Sequence, residues 1–251
     1  MKKKPLISQK LITMNIAIIG YGRMGHEIEM MAPERGHVIG LIIDQGNYEE
    51  LNREKMARID VAIEFTAPDS ARDNILQCLS IPVPVVSGTT GWLKDYKLAA
   101  AACLKHDTSF IHSSNFSIGV NILFRLNSEL SVLMGSQSGY SPSIEEIHHV
   151  KKLDAPSGTA ITLAEGIARN SSRFNGWRFE SAEDETKVPV RSVREGMVPG
   201  IHTVTWDSEV DILSIRHEAK NRKGLALGAL VAAEYISSRK GVFTMSDVLG
   251  F

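Results

Sequence analysis

A chain of 251 residues has room for one large or two modest domains, each able to bury its own core. Its 28 lysines and arginines are matched by 29 aspartates and glutamates, a formal net charge of −1, so no surplus of positive charge exists for coating nucleic acid or an acidic membrane. That charge balance suits a small-molecule partner, and Cys78 and Cys103, too few for a disulfide framework and set in apolar stretches where a buried thiol is the usual occupant, point to a reducing, cytoplasmic setting.

Residues 1–13 open with Lys2, Lys3 and Lys4, yet Gln9 and Lys10 break any apolar run and no small-residue cleavage site follows. They read as an extension, or a misassigned start ahead of Met14, and not as a signal peptide. No stretch approaches the ~20 apolar residues of a bilayer crossing. Asn15–Ile19 is a short continuous apolar run, as expected of a strand buried on both faces of a parallel sheet. Gly20-Tyr21-Gly22-Arg23-Met24-Gly25 follows at once and fits G-x-G-x-x-G. Such glycines permit a tight turn and close approach of backbone to a pyrophosphate, and the following helix, about Met24–Ala32, offers its N-terminus to negative charge. A second strand, Val38–Ile43, ends at Asp44, placed to accept hydrogen bonds from an adenosine ribose; taken alone, Asp44 also suits a solvated strand end. Gln45-Gly46-Asn47 offers no arginine for a 2′-phosphate, although Arg23 could partly substitute, so NADH is favoured over NADPH.

Strands and helices then alternate: Val61–Phe65, Ser70–Leu79, Val83–Ser87, Lys94–His106 and Ser109–Ile111. The alternation predicts a Rossmann-like parallel sheet wrapped by helices, with ligands beyond the carboxyl ends of its strands. Thr66-Ala67-Pro68 and Ser87-Gly88-Thr89-Thr90-Gly91 fall at such ends and can face a ribose or a nicotinamide amide. Ser113-Ser114-Asn115-Phe116-Ser117 reads as a hinge whose Asn115 and Phe116 could flank the nicotinamide; a polar linker with one anchoring aromatic is the simpler alternative. Ser117 caps a helix from Ile118 to about Met134.

Gly135–Pro142 reads as a turn and Ser143–His149 as a strand. On a strand, His148 and His149 point to opposite faces, and an extended Lys152 would lie roughly 13 Å from His148 at about 3.3 Å per residue. For one ligand to meet all three, the chain must curl back after His149, which Pro156 and Gly158 permit. Ser157-Gly158-Thr159 then opens a helix to Asn170, so its backbone N–H groups and hydroxyls can converge on a carboxylate or phosphate. Two imidazoles and an amine supply acid, base and anchor. Adjacent histidines chelate poorly and no H-x-x-x-H spacing or cysteine lies near, so no metal site is expected. A polar link, 171–187, leads to strands near Val188–Arg194, Ile201–Asp207 and Glu209–Arg216, which suggest a mixed or antiparallel sheet in an α+β domain. Arg222–Arg239 is a helix rich in alanine and leucine. The expected division is a dinucleotide domain over 14–114, with 222–251 packing back on it, and a second domain over 115–221.

Glu146 to Ala160 matches E-x-H-H-x-x-K-x-D-A-P-S-G-T-A at every named position. With Gly20–Gly25, the Ser-Gly-Thr-Thr loop, Asn115-Phe116-Ser117 and the ending Phe243 to Leu249, the chain resembles the 4-hydroxy-tetrahydrodipicolinate reductase (dihydrodipicolinate reductase) family over Met14–Phe251. Glu64 stands where that family usually has aspartate, and Ser113-Ser114 replaces a more apolar pair. The resemblance implies hydride transfer from NADH or NADPH to a cyclic imine dicarboxylate in lysine and diaminopimelate synthesis. It further implies that His148 is the acid/base group, that Lys152 donates the completing proton and that His149 contacts substrate. Ser157, Gly158 and Thr159 would hold a carboxylate; Gly20–Gly25, Asp44, Gly88, Thr89, Thr90, Ser113, Ser114, Asn115 and Phe116 would line the dinucleotide. A homotetramer joined through sheets of the second domain, and closure of the two domains over the ligands, are implied as well. Two rivals remain: a related two-domain reductase of another small substrate, and an NAD-binding sensor without turnover.

Overall fold

The computed structural model describes residues 13–251, so the expected extension lies outside it save for Thr13. The chain divides into two compact units, one made of residues up to Ser113 plus Ala229–Thr244, the other of Ser114–Gly228 plus Met245–Phe251.

In the first unit, β1 (Asn15–Ile19), α1 (Arg23–Met31), β2 (Val38–Ile43), α2 (Arg53–Met56), β3 (Val61–Glu64), α3 (Pro68–Ser80), β4 (Val85–Ser87), α4 (Tyr96–Lys105) and β5 (Ser109–His112) alternate as the apolar runs require. The strands pair in parallel in the order β2-β1-β3-β4-β5. The order reverses at β1, where the chain steps to β2 on one side and β3 on the other. In such sheets the crevice beyond this switch point is the ligand site, and Gly20 stands at it. Ile19, Ile43, Val85, Trp92 and Phe110 are buried in the core on these strands and their flanking loops. Cys78 and Cys103 are free and buried, and burial pushes the Cys78 thiol up to about 12.

The second unit holds α5 (Ile118–Met134), β6 (Ser141–His148), α6 (Gly158–Asn170), β7 (Trp177–Phe179), β8 (Val188–Arg194), β9 (Ile201–Asp207) and β10 (Ile212–Glu218). The sheet order is β10-β9-β6-β8-β7, antiparallel from β10 to β6 and parallel from β6 to β7, so it is mixed. Ile144, Val190, Val204 and Trp206 pack with Leu163, Ala164 and Ile167 of α6. Strand β6 starts at Ser141, two residues inside the expected turn, because Ser141 and Pro142 pair with Asp207 and Trp206 of β9. Proline is tolerated there because β8 pairs only from Ile144 onward, leaving no donor missing on that side. The strand also ends one residue early, at His148. Strand β7 lies within the stretch read as a polar link; it is three residues at a sheet edge, too short to show alternation. Strand β10 begins at Ile212, not Glu209, because the Ser208 hydroxyl accepts from the Val210 and Asp211 N–H groups in a tight turn.

The C-terminal residues are shared out. Helix α7 (Lys223–Ile236) spans the division, β11 (Gly241–Phe243) joins the first sheet as a sixth parallel strand beside β5, and α8 (Met245–Leu249) belongs to the second unit. Glu234 of α7 is fixed in the first unit by Arg35, at 2.7 and 2.8 Å, and by the buried His37 at 2.9 Å. No helix among the described residues is long and apolar enough to cross a membrane.

Candidate active site

In the first unit, Gly20–Gly25, Asp44, Gly88–Thr90 and Ser113 follow the carboxyl ends of β1, β2, β4 and β5, so they share one edge of the sheet. The three glycines of the first turn have different reasons to be glycine. Gly20 has φ +92°, and a Cβ there would come within 2.1 Å of the Phe65 carbonyl oxygen. A Cβ on Gly25 would sit 2.5 Å from the Gly20 oxygen, whereas one on Gly22 would meet nothing within 4 Å. Gly22 caps α1 with no side-chain hydrogen bond, so the cap residue leaves the first N–H groups of the helix to other partners. A cradle that is tight beneath and open above fits the pyrophosphate of a dinucleotide. Asp44 is exposed beside it, since the Gly20 N–H donates to Ile43 O at 2.8 Å. Arg23 is exposed as well, while the Tyr21 hydroxyl donates to Glu29.

Sequence reasoning noted Glu64 only as a departure from the family pattern, but it ties two ligand-side loops together. This carboxylate, 1% exposed, accepts from Thr66 N–H at 3.0 Å, Ser87 Oγ at 2.7 Å, Thr89 Oγ1 at 2.6 Å and the Thr66 hydroxyl. The Thr89 hydroxyl is therefore engaged inside the protein, whereas Thr90 is exposed. Gly88 leaves room for the Phe65 ring, which a Cβ would approach to 2.0 Å.

The division between the two units falls inside the run 113–116, after Ser113. Ser114 is exposed, and Phe116 is 1% exposed, its carbonyl packed against Gly228. Asn115 donates to the Thr159 hydroxyl at 3.3 Å and accepts from Ser117 N–H at 2.9 Å, which sets it at the start of α6.

His148, at the end of β6, is 8% exposed and His149 has left the strand. The chain curls back through a turn closed by Lys152 N–H to His149 O at 3.0 Å. Lys152 consequently stands near enough to both His149 and His202 to act on their titration, which an extended strand could not arrange. Its amine holds Asp154 at 2.8 Å. Ser157 is buried as the cap of α6: its hydroxyl accepts from Ala160 N–H at 3.2 Å and lies 3.1 Å from His202 Nε2. The N–H groups of Gly158 and Thr159, free by their position in the first turn, remain to meet an anion, and Gly158 is exposed. Burial, then Arg222, His148 and Lys152, lower the pKa of His149, so cationic side chains stand near its ring. Such side chains attract a dicarboxylate.

Glu146, two residues before His148, is 0% exposed. Its Oε1 accepts from Ser157 N–H at 3.0 Å and from Arg194 Nη2 at 3.1 Å, and its Oε2 faces His148 Nδ1 at 3.2 Å, out of line for a hydrogen bond. Burial alone would raise this carboxyl; its contacts with His148 and Ser157 outweigh burial and hold it well below the usual range. His202, whose ring centroid is 5.0 Å from that of His148, is pushed down to about 3 by burial and then by His148. Ligand atoms of Glu146, His148 and His202 fall within 4.8 Å of one another, close enough for a metal ion, but the Arg194 guanidinium already answers the Glu146 charge. Sequence reasoning missed Arg194, His202 and Arg222; the register that sets His148 opposite Arg194 and Glu146 opposite His202 brings the first two in.

Known proteins resemble this chain over most of its length. The model of the dihydrodipicolinate reductase N-terminus matches residues 14–116, and that of the C-terminus matches residues 119–249. A 4-hydroxy-tetrahydrodipicolinate reductase of Christiangramia forsetii is 51% identical over 237 residues, 94% of this chain and 98% of its own. One of Alkaliphilus oremlandii is 31% identical, again over 94% and 98%. The dipicolinate-bound dihydrodipicolinate reductase of Paenisporosarcina sp. TG-14 shares the fold, with a TM-score of 0.75 at 22% identity over 93% of this chain and 98% of that one. Matched by both halves of the family model and by close relatives nearly end to end, the chain belongs to the dihydrodipicolinate reductase family.

Proposed function

We propose that this chain converts the cyclic imine dicarboxylate 4-hydroxy-tetrahydrodipicolinate to tetrahydrodipicolinate with NADH or NADPH, the 4-hydroxyl leaving as water while a hydride and a proton add to the unsaturated ring so formed, a step of lysine and diaminopimelate synthesis. Family membership supports the reaction class. The observation that carries the site assignment is the open N-terminus of α6 beside the gathered charges of Lys152 and Arg222, next to a histidine backed by a buried carboxylate. The bound dinucleotide supplies a hydride. His148 acts as the acid/base group and Lys152 gives the proton that completes reduction. His149 contacts the substrate, Gly158 and Thr159 hold a carboxylate through their N–H groups, and Ser157 shapes that turn.

Gly20–Gly25, Asp44, Gly88–Thr90 and Ser113–Phe116 are assigned to the dinucleotide, with the buried Phe116 anchoring its end of that run. An exposed Asp44 followed by Gln45-Gly46-Asn47 favours NADH. A cytoplasmic homotetramer belongs to the same reading; the second sheet leaves one face free for such assembly, since Ser143, Glu145, Thr203 and Thr205 turn to a less buried face while Ile144, Glu146, Val204 and Trp206 are buried.

Mixing the protein with freshly prepared substrate and each dinucleotide, while following nicotinamide absorbance, tests the reading. Oxidation that depends on the substrate and is inhibited by pyridine-2,6-dicarboxylate supports it. Dinucleotide binding without oxidation indicates a sensor, and oxidation only with other substrates, indifferent to the diacid, indicates another reductase.

A further inference from the structure

Glu146 and Arg194 touch every part of the proposed acid/base apparatus, and neither belongs to it. The Arg194 guanidinium reaches three acceptors besides its own strand: Nη2 donates to Glu146 Oε1 at 3.1 Å and to Asp154 O at 2.6 Å, and Nε donates to Lys152 O at 3.3 Å. Its side chain is only 20% exposed and Glu146 is fully buried. The second Glu146 oxygen faces the His148 ring, and the first also takes the Ser157 N–H that starts the anion-binding turn. One carboxylate thus joins the acid/base histidine to the turn, and one forked guanidinium joins that carboxylate to the backbone of the curled-back loop carrying Lys152. The groups facing this pair are His148 from β6, His202 from β9 at 3.9 Å, Ser192 from β8 opposite Glu146, and the loop 149–157. A lysine could balance the charge, but its single point of contact could not span Glu146 and two carbonyls; a planar fork can.

We propose that Glu146 and Arg194 are the positioning pair of this site, fixing the His148 ring and the Lys152 loop around the Ser157 turn. This rests on the reading of His148 and Lys152 given above. The consequence is that the loop, which has few internal bonds of its own, depends on Arg194 for its closed form.

Arg194→Lys and Arg194→Ala are the variants to compare, with the double variant Glu146→Gln/Arg194→Met, which removes both charges and so leaves no buried charge unpaired. Expected for all three are a kcat lower by roughly 10- to 100-fold, NADH affinity within about twofold of the parent, and weaker binding of pyridine-2,6-dicarboxylate. Amide exchange should quicken in residues 150–156 while the β6–β9 ladder keeps its protection. Millimolar guanidinium should restore part of kcat to Arg194→Ala, and equal sodium chloride should not. A merely structural role would instead leave kcat normal in a folded double variant and give no guanidinium rescue; either result overturns the inference. Should His148→Gln and Lys152→Ala turn over at the parent rate, the reading of the site fails whatever Arg194 does; should those two be slow while Arg194→Lys is normal, only the positioning pair falls.

Discussion

Alanine at Gly22 and at Gly25 should have opposite consequences, because only one of these glycines is spent on packing. The backbone of Gly22, φ −81° and ψ −159°, is one that alanine adopts without strain, and its added Cβ meets nothing within 4 Å. Stability should therefore change by less than about 1 kcal/mol, since the freedom lost by the unfolded chain offsets the poorer cap that alanine makes at the start of α1. The methyl group would stand in the space through which a pyrophosphate approaches the first N–H groups of α1. Losing one hydrogen bond to a charged oxygen costs about 1.5–3 kcal/mol, a weakening of NADH by roughly 10- to 100-fold. At Gly25 the Cβ would lie 2.5 Å from the Gly20 carbonyl oxygen, a backbone atom that cannot swing away, so overpacking by about 1–3 kcal/mol is expected. Fluorescence titration with NADH and urea unfolding of both variants separate the effects. If Gly22→Ala binds NADH as the parent does, or is destabilised as much as Gly25→Ala, the assignment of the open cradle to the dinucleotide is wrong.

Asp44→Ala should weaken NADH by about tenfold, one charge-assisted hydrogen bond, and NADPH by less; calorimetric titration showing equal weakening would mean that Asp44 does not read the ribose. His202 makes stability depend on pH. Its folded value is about 3 and its ordinary value 6.5, so the unfolded chain binds the extra proton, and stability present in full above pH 6.5 is lost as pH falls toward 3. Between pH 7 and 5 the parent should lose about 2 kcal/mol more than His202→Gln in urea unfolding. Identical losses would show that His202 is not held neutral in the folded protein.

The dinucleotide half was legible because its information is local: an apolar run, then glycines, then an acid at the end of the next strand. The motif from Glu146 to Ala160 was legible for the same reason, and even its backward curl followed from the spacing of His148 and Lys152. What was not legible depends on partners distant in the chain. Gly241-Val242-Phe243 is a strand only because β5 offers it a free edge, and Trp177-Arg178-Phe179 only because β8 does. Arg194 and His202 carry no motif; strand register places them beside Glu146 and His148. Glu64 stood out as a substitution, yet its work of joining the Thr66 and Thr89 loops appears only when β3 and β4 lie side by side. The Ser157 hydroxyl, read either as a ligand contact or as an ordinary helix cap, is taken up by the Ala160 N–H as a cap and by His202, and only the second partner lies beyond what sequence order reveals.

The central claim is that His148 and Lys152 manage the protons of the reduction. It is tested most directly by single-turnover oxidation of bound NADH in His148→Gln and Lys152→Ala, with NADH affinity measured on the same samples. Each variant should be slower by roughly 10²–10⁴-fold with affinity nearly intact. Turnover within about threefold of the parent in either variant would contradict the role assigned to that residue.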